Sequence, residues 1–133
     1  MARMDDILVP VSPGELLDKI TILRLKAARI ADAVKLSNVR RELALLEQSW
    51  RRALPAGADL SDDEAALQQV NAALWDVEDR IRDHEAQRRF DAAFIELARS
   101  VYIHNDERAA IKRRINLRLN AALVEEKSYR PYA

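Results

Sequence analysis

An all-α fold, an antiparallel bundle of two helical hairpins, is predicted by three features of the sequence. Nearly half of the residues are apolar but only 5% are aromatic, with two Gly and four Pro, a mixture typical of helices packed on helices. Helix-start signals and Pro/Gly breaks divide the chain into segments of helical length. Within each segment the apolar residues recur in alternating steps of four and three, the spacing of a bundle seam. At 133 residues the chain reads as one domain, 1–133, long enough to bury a core.

The first helix is expected over 13–33. Ser12 stands at its cap, Pro13 suits the first turn, and Glu15 three residues after the cap completes a capping box. Its stripe is Leu16, Ile20, Leu23, Ala27, Ile30 and Val34. Asp32 is the cap or turn residue before a second helix over 35–54, striped by Leu36, Val39, Leu43, Leu46 and Trp50, and these two helices form a hairpin. Pro55, Gly57 and Asp59 make a loop, and Ser61 with Glu64 repeats the capping box. The third helix, over 62–85, carries Leu67, Val70, Leu74, Val77 and Ile81. The linker "AQRRFD" leads to a fourth helix over 92–123, and short extended tails flank the bundle. The N-terminal "ILVPV" is β-prone and offers a strand to the tail "LVEEKSYRPYA", although Pro10 removes a ladder donor.

The stretch "YIHNDERAAIKRRIN", residues 102–116, looks at first like a break in the fourth helix. The stripe nevertheless continues without a slip through Phe94, Leu97, Val101, His104, Arg108, Ile111, Ile115, Arg118 and Ala122. An unbroken phase means one continuous helix, and the weak helix propensity of Asn105 and Asp106 costs only a few tenths of a kcal/mol each. His104 and Arg108 therefore face inward, where a guanidinium must find a partner. Antiparallel pairing with the third helix sets Ala73 opposite His104 and Gln69 opposite Arg108, in a layer that also holds Asn71, Trp75 and Asp76. Beside the stripe runs a polar ledge of Tyr102, Asn105, Ala109, Lys112 and Asn116.

Charge supports the pairing of these helices. Residues 61–85 hold eight acids against Arg80 and Arg82, a net charge of −6, whereas residues 99–118 hold six cations against Asp106 and Glu107, a net charge of +4. Over the whole chain Lys plus Arg and Asp plus Glu number 22 each, so no overall field draws it to nucleic acid or to an anionic membrane. The cationic "KRRINLR" lacks interleaved aromatics and reads as an outer helix face. With no Cys there is no disulfide, thiolate nucleophile or Cys-ligated metal, and the apolar run in "MARMDDILVPV" is too short for a signal or a span. A cytoplasmic location is expected.

Two readings of the inward polar layer stand side by side. In the structural one, His104 and Arg108 are satisfied by Gln69 or Asp76 and fix helix register. In the functional one, Trp75, Tyr102, His104, Asn105, Arg108 and Lys112 line a pocket for a phosphate or carboxylate, with Trp75 at its wall. Asp76 and Asp79 in "WDVED" are weak candidates for a hard cation, although such pairs are common on solvated faces. His84 and His104 form no zinc pattern, no phosphate loop or hydrolase motif is present, and no cofactor is implied.

The strings "VPVSPGELLDKITILRLK", "KLSNVRRELALLE", "VNAALWDVEDRIRDHE", "FIELARSVYIHNDERAAIKRRIN" and "VEEKSY" together resemble a bacterial family of small proteins catalogued as a domain of unknown function. The resemblance covers nearly the whole chain and brings no reaction or catalytic residues with it. The expected role is a non-catalytic interaction or ligand-binding module that forms a homo-oligomer. The alternative is a small enzyme acting on an anionic metabolite between the third and fourth helices.

Overall fold

The computed structural model describes residues 2–132 as four helices: α1 (Pro13–Arg29), α2 (Ala33–Ala53), α3 (Ser61–Ala86) and α4 (Ala92–Arg118). The chain is an all-α bundle built from an α1–α2 and an α3–α4 hairpin, as the sequence predicts.

The caps explain where the expected boundaries held and where they moved. Ser12 Oγ accepts from the Glu15 N–H at 3.2 Å, and Asp32 Oδ2 accepts from the Lys35 N–H at 2.9 Å, as predicted. Helix α1 stops at Arg29, four residues early, because Ile30 is already extended and Asp32 opens α2. Ser61 does not cap α3: its N–H and hydroxyl both donate to Asp59 Oδ1, at 3.0 and 2.7 Å, and Glu64 turns instead to Arg24. Helix α4 ends at Arg118 rather than at 123. Asn120 takes a left-handed φ of 50°, its N–H meets Leu117 O, and the Ala121 N–H meets Asn116 O at 2.9 Å. That is a Schellman stop. Helix α3 ends the same way around Arg88, at φ 54°.

Helix α1 is the centre of the molecule, packed against each of the other three. A helix touched on three sides is not buried along a single stripe. Leu17, Ile20, Leu23 and Leu25 are buried together with Asp18 and Thr21, while Val34, expected on the α1 seam, lies 72% exposed on α2. Leu17 meets Leu60, Leu67, Val70, Ile111 and Ile115 in the main apolar cluster, flanked by Trp50 and Leu54 from the end of α2. Each such buried side chain stabilises the fold by roughly 1.5–3 kcal/mol.

Antiparallel α3 and α4 carry the predicted charge match. Asp63, 1% exposed, receives Arg114 Nε at 2.7 Å and Arg118 Nη1 at 2.6 Å, and Arg114 stands opposite it in the expected register. Arg29 at the end of α1 sits 5.6 Å over the Trp75 ring and pairs with Asp76 at 2.8 Å. Neither α1 nor α2 extends along the rest of the α3–α4 hairpin, and no residue from 72 to 110 is fully buried. Among the described residues there is no strand. Pro10–Ser12 and Leu123–Glu125 share a shallow cleft without pairing.

Candidate functional site

The ledge of Tyr102, Asn105, Ala109, Lys112 and Asn116 organises the site, and its two ends have different fates. At the C-terminal end it is used up by packing. Asn116 Oδ1 accepts from the Gly14 N–H at 2.7 Å, satisfying one of the free donors in the first turn of α1. The Lys112 ammonium, on a side chain 10% exposed, meets Glu15 at 2.6 Å, Glu125 at 2.9 Å and Asp18 at 3.9 Å. Burial pulls the pKa of Lys112 down, but its hydrogen bonds to Glu15 and Glu125 outweigh that and hold it above the usual lysine range. Its charge is neutralised inside the protein.

The layer expected between α3 and α4 exists and is closed. Asn71 Nδ2 donates to Asp18 Oδ1 at 2.9 Å and to Thr21 Oγ1 at 3.0 Å, and its Oδ1 accepts from Arg108 Nη1 at 3.3 Å. Asn71, two positions on from the expected Gln69 and so on the opposite side of the helix, is the inward partner of Arg108. Gln69 is exposed. Asp18 and Lys112 sit 94 positions apart in the chain, so α1 supplies the carboxylates that this part of α4 needs.

At its N-terminal end the same ledge is open. After the turn at Asn120 the chain reverses and runs back along α4 as an extended tail. Glu125 is pinned to Lys112, Glu126 to Arg113 at 3.1 Å, and the Tyr132 ring lies edge-on to Tyr102 with centroids 5.1 Å apart at 61°. Burial first, and then the Asp106 carboxylate that its hydroxyl meets, push the Tyr132 phenol above its ordinary range.

Between tail and helix lies a groove of about 610 Å³. Ala98 and Val101 form its apolar floor, Tyr102, Asn105, Asp106 and Arg108 line the α4 wall, and Lys127, Tyr129, Arg130 and Tyr132 line the tail wall. All three tyrosines of the chain are here. Arg108, Lys127 and Arg130 have no carboxylate within 4.0 Å among the described residues, and Asp106 is the one acid in the lining. A second groove of about 610 Å³, between residues 6–8 and α2, balances Arg41 and Arg52 against Asp6 and Glu42 and has no ring in its lining. Of these two grooves, the one under the tail combines excess positive charge with aromatic faces.

The expected site residues therefore divide. Tyr102, Asn105 and Arg108 line the groove. Lys112 adjoins it but is committed to carboxylates. His104 lies outside it, 3.4 Å from Glu107, and Trp75 is covered by Arg29 on the α1 side. Asp76 is taken by Arg29, Asp79 is exposed, and no group of three or more acidic or His side chains is placed to hold a metal among the described residues. Lys127, Tyr129, Arg130 and Tyr132 belong to the segment that the sequence marks only as a tail. The signal was present in "KSYRPY", where cations and tyrosines alternate.

A family model described as Family of unknown function (DUF6165) matches residues 7–132. No curated protein and no solved structure matches the chain. Among the described residues no helix is long and apolar enough to cross a membrane.

Proposed function

The chain belongs to DUF6165, a family of unknown function, and from the geometry we propose that it is a binding module for an anionic small molecule held between α4 and the C-terminal tail. One observation carries this reading: three cations without a carboxylate partner among the described residues and every tyrosine of the chain meet in one groove. Arg108 comes from a rigid helix and is steadied by Asn71, which leaves the rest of its planar fork for a phosphate or carboxylate. Lys127 and Arg130 face it from the tail, so an anion between them draws the two walls together. The groove volume falls within the range of about 300–1,000 Å³ usual for small-molecule sites.

Thermal melts with a panel of sugar phosphates, nucleotides and carboxylates test the proposal. A ligand at 100 times its Kd adds about 2.7 kcal/mol to stability, a readily measured rise in Tm. The double variant Lys127→Ala, Arg130→Ala changes only exposed side chains and is expected to fold normally while losing that rise. If no compound shifts the wild-type melt, or if the double variant shifts as much as wild type, the groove is not a ligand site.

A further inference from the structure

We propose that the ligand of this groove is a sugar phosphate: a hydroxylated, puckered ring carrying one phosphate. The inference rests on the binding-module reading and narrows it by the shape and polarity of the lining.

Ring geometry separates a puckered ring from a flat base. A base held between two aromatic faces needs those faces parallel, whereas Tyr102 and Tyr132 meet edge to face at 61°. Lys127 lies over the Tyr129 ring, 5.7 Å from its centroid, and occupies one face of it. What the groove presents is single ring faces at angles to one another. The C–H groups of a puckered ring, polarised by their oxygens, pack on such faces from one side only.

The polar lining separates a hydroxylated ligand from a plain polyanion. Asp106 lies among the cations, where its charge opposes a polyphosphate or polycarboxylate but accepts hydrogen bonds from hydroxyl groups. Next to it Asn105 has an amide with no side-chain partner among the described residues, offering both donors and an acceptor to a hydroxyl that needs both. Arg108 on one wall and Lys127 and Arg130 on the other then supply the two-sided cationic grip that a single terminal phosphate requires. Ring faces, a hydroxyl acceptor and a phosphate grip are thus combined in one cleft.

Titration of the full chain with inorganic phosphate, glucose, glucose 6-phosphate, ribose 5-phosphate and AMP at constant ionic strength tests this. At least one of the two sugar phosphates should bind about tenfold or more tighter than inorganic phosphate or glucose. Asp106→Asn and Tyr129→Leu should each weaken that binding about fivefold or more while leaving inorganic phosphate unchanged. If inorganic phosphate binds as tightly as the sugar phosphates, the ring contributes nothing; the narrower inference falls and the anion site survives. AMP is ribose 5-phosphate with adenine attached, so binding of AMP tighter than that of either sugar phosphate would show that a flat base is recognised and also overturns it. No binding of any phosphate overturns the sugar-phosphate inference, and the wider anion reading then stands or falls with the carboxylates of the thermal-melt panel.

Discussion

Arg108 on α4 donates to the amide oxygen of Asn71 on α3 at 3.3 Å, and through the amide nitrogen of that same Asn the contact passes to Asp18 and Thr21 on α1. The guanidinium is thus held in place by a neutral group, while the carboxylate behind it belongs to Asn71 and Lys112. The two partners should respond differently to removal. Arg108→Met takes away a partly buried charge with a neutral partner and should cost about 1 kcal/mol. Asn71→Ala strips a donor from Asp18, only 5% exposed, and from the fully buried Thr21, and should cost about 2–3 kcal/mol. Urea denaturation of the two variants measures both. An Arg108→Met protein that fails to fold would make that charge structural and remove the main cation of the proposed site.

Gly14 is fixed by what surrounds it. A Cβ there would overlap the carbonyl oxygen of Lys112 and crowd Asn116 Oδ1, so α1 and α4 approach backbone to backbone at this point. Gly14→Ala is expected to destabilise by roughly 1–3 kcal/mol, because helix backbone has no rotamer with which to yield. Gly57 has open space around it but a φ of 82°, so Gly57→Ala should cost about 1–2 kcal/mol through strain alone. Gly57→Asn, a residue that tolerates this conformation, should recover part of that loss in melting experiments, whereas Gly14→Asn should recover nothing.

Acid sensitivity should centre on Asp63. Burial raises its pKa, but hydrogen bonds from Arg118 and Arg114 outweigh burial and hold the carboxyl below the usual range. A carboxyl with a depressed folded-state pKa contributes its full stability above the unfolded value of about 3.9 and loses it as the pH falls through the lower folded value. Wild-type Tm should therefore drop below about pH 4 more steeply than that of Asp63→Asn. At neutral pH Asp63→Asn should itself cost about 2 kcal/mol, since the amide has an acceptor at only one of the two atoms that receive the arginines and turns an NH2 donor toward the other. Equal slopes in the two proteins would show that other carboxylates govern acid unfolding.

Local rules made much of this fold legible. The caps at Ser12 and Asp32, the unbroken phase of α4 and the opposite charges of α3 and α4 all depend on neighbours in sequence or on simple periodicity. Asp18 shows where such rules end: on α1 alone it reads as a surface acid, and only a helix packed on three sides buries it beside Lys112 and Asn71. The site was half legible for the same reason. The polar ledge follows from the period of α4, but the opposite wall comes from a segment without secondary structure. Its path is set by two ion pairs and a ring contact, none of which leaves a periodic trace. Asn120, which turns the tail back by adopting a left-handed conformation, looks in sequence like any polar residue late in a helix.

The uneven burial along the α3–α4 hairpin predicts uneven protection from amide exchange. Residues 60–71 and 111–116 include the buried side chains of the main cluster, whereas nothing from 72 to 110 is fully buried and Phe90 and Ile95 are more than half exposed. Local opening follows the density of buried apolar contacts. Amides of residues 80–86 and 92–100 should therefore exchange faster than those of 63–70 and 111–116 under native conditions, although all are helical. Uniform protection along both helices would mean that the outer hairpin is covered in solution by another copy or partner.

The two Schellman stops allow a sharper test, because they share a geometry and differ in the residue that carries it. Arg88 ends α3 at φ 54° and Asn120 ends α4 at φ 50°, both in the region where a Cβ collides with the following carbonyl. Glycine has no Cβ, and Asn is among the few residues that tolerate the conformation through local hydrogen bonding. Arg88→Gly should therefore stabilise the protein by up to about 1 kcal/mol, the relief of strain exceeding the extra backbone entropy that glycine brings to the unfolded chain. Asn120→Gly starts from less strain and should change stability by only a few tenths of a kcal/mol. Asn120→Val should be worse than either, because a β-branched residue is poorly suited to positive φ, and should also free the tail from α4. Thermal melts rank the three. For Asn120→Val, faster tryptic cleavage at Lys127 reports the release of the tail. If Arg88→Gly lowers Tm, the turn at the tip of the hairpin is held by the Arg88 side chain rather than in spite of it.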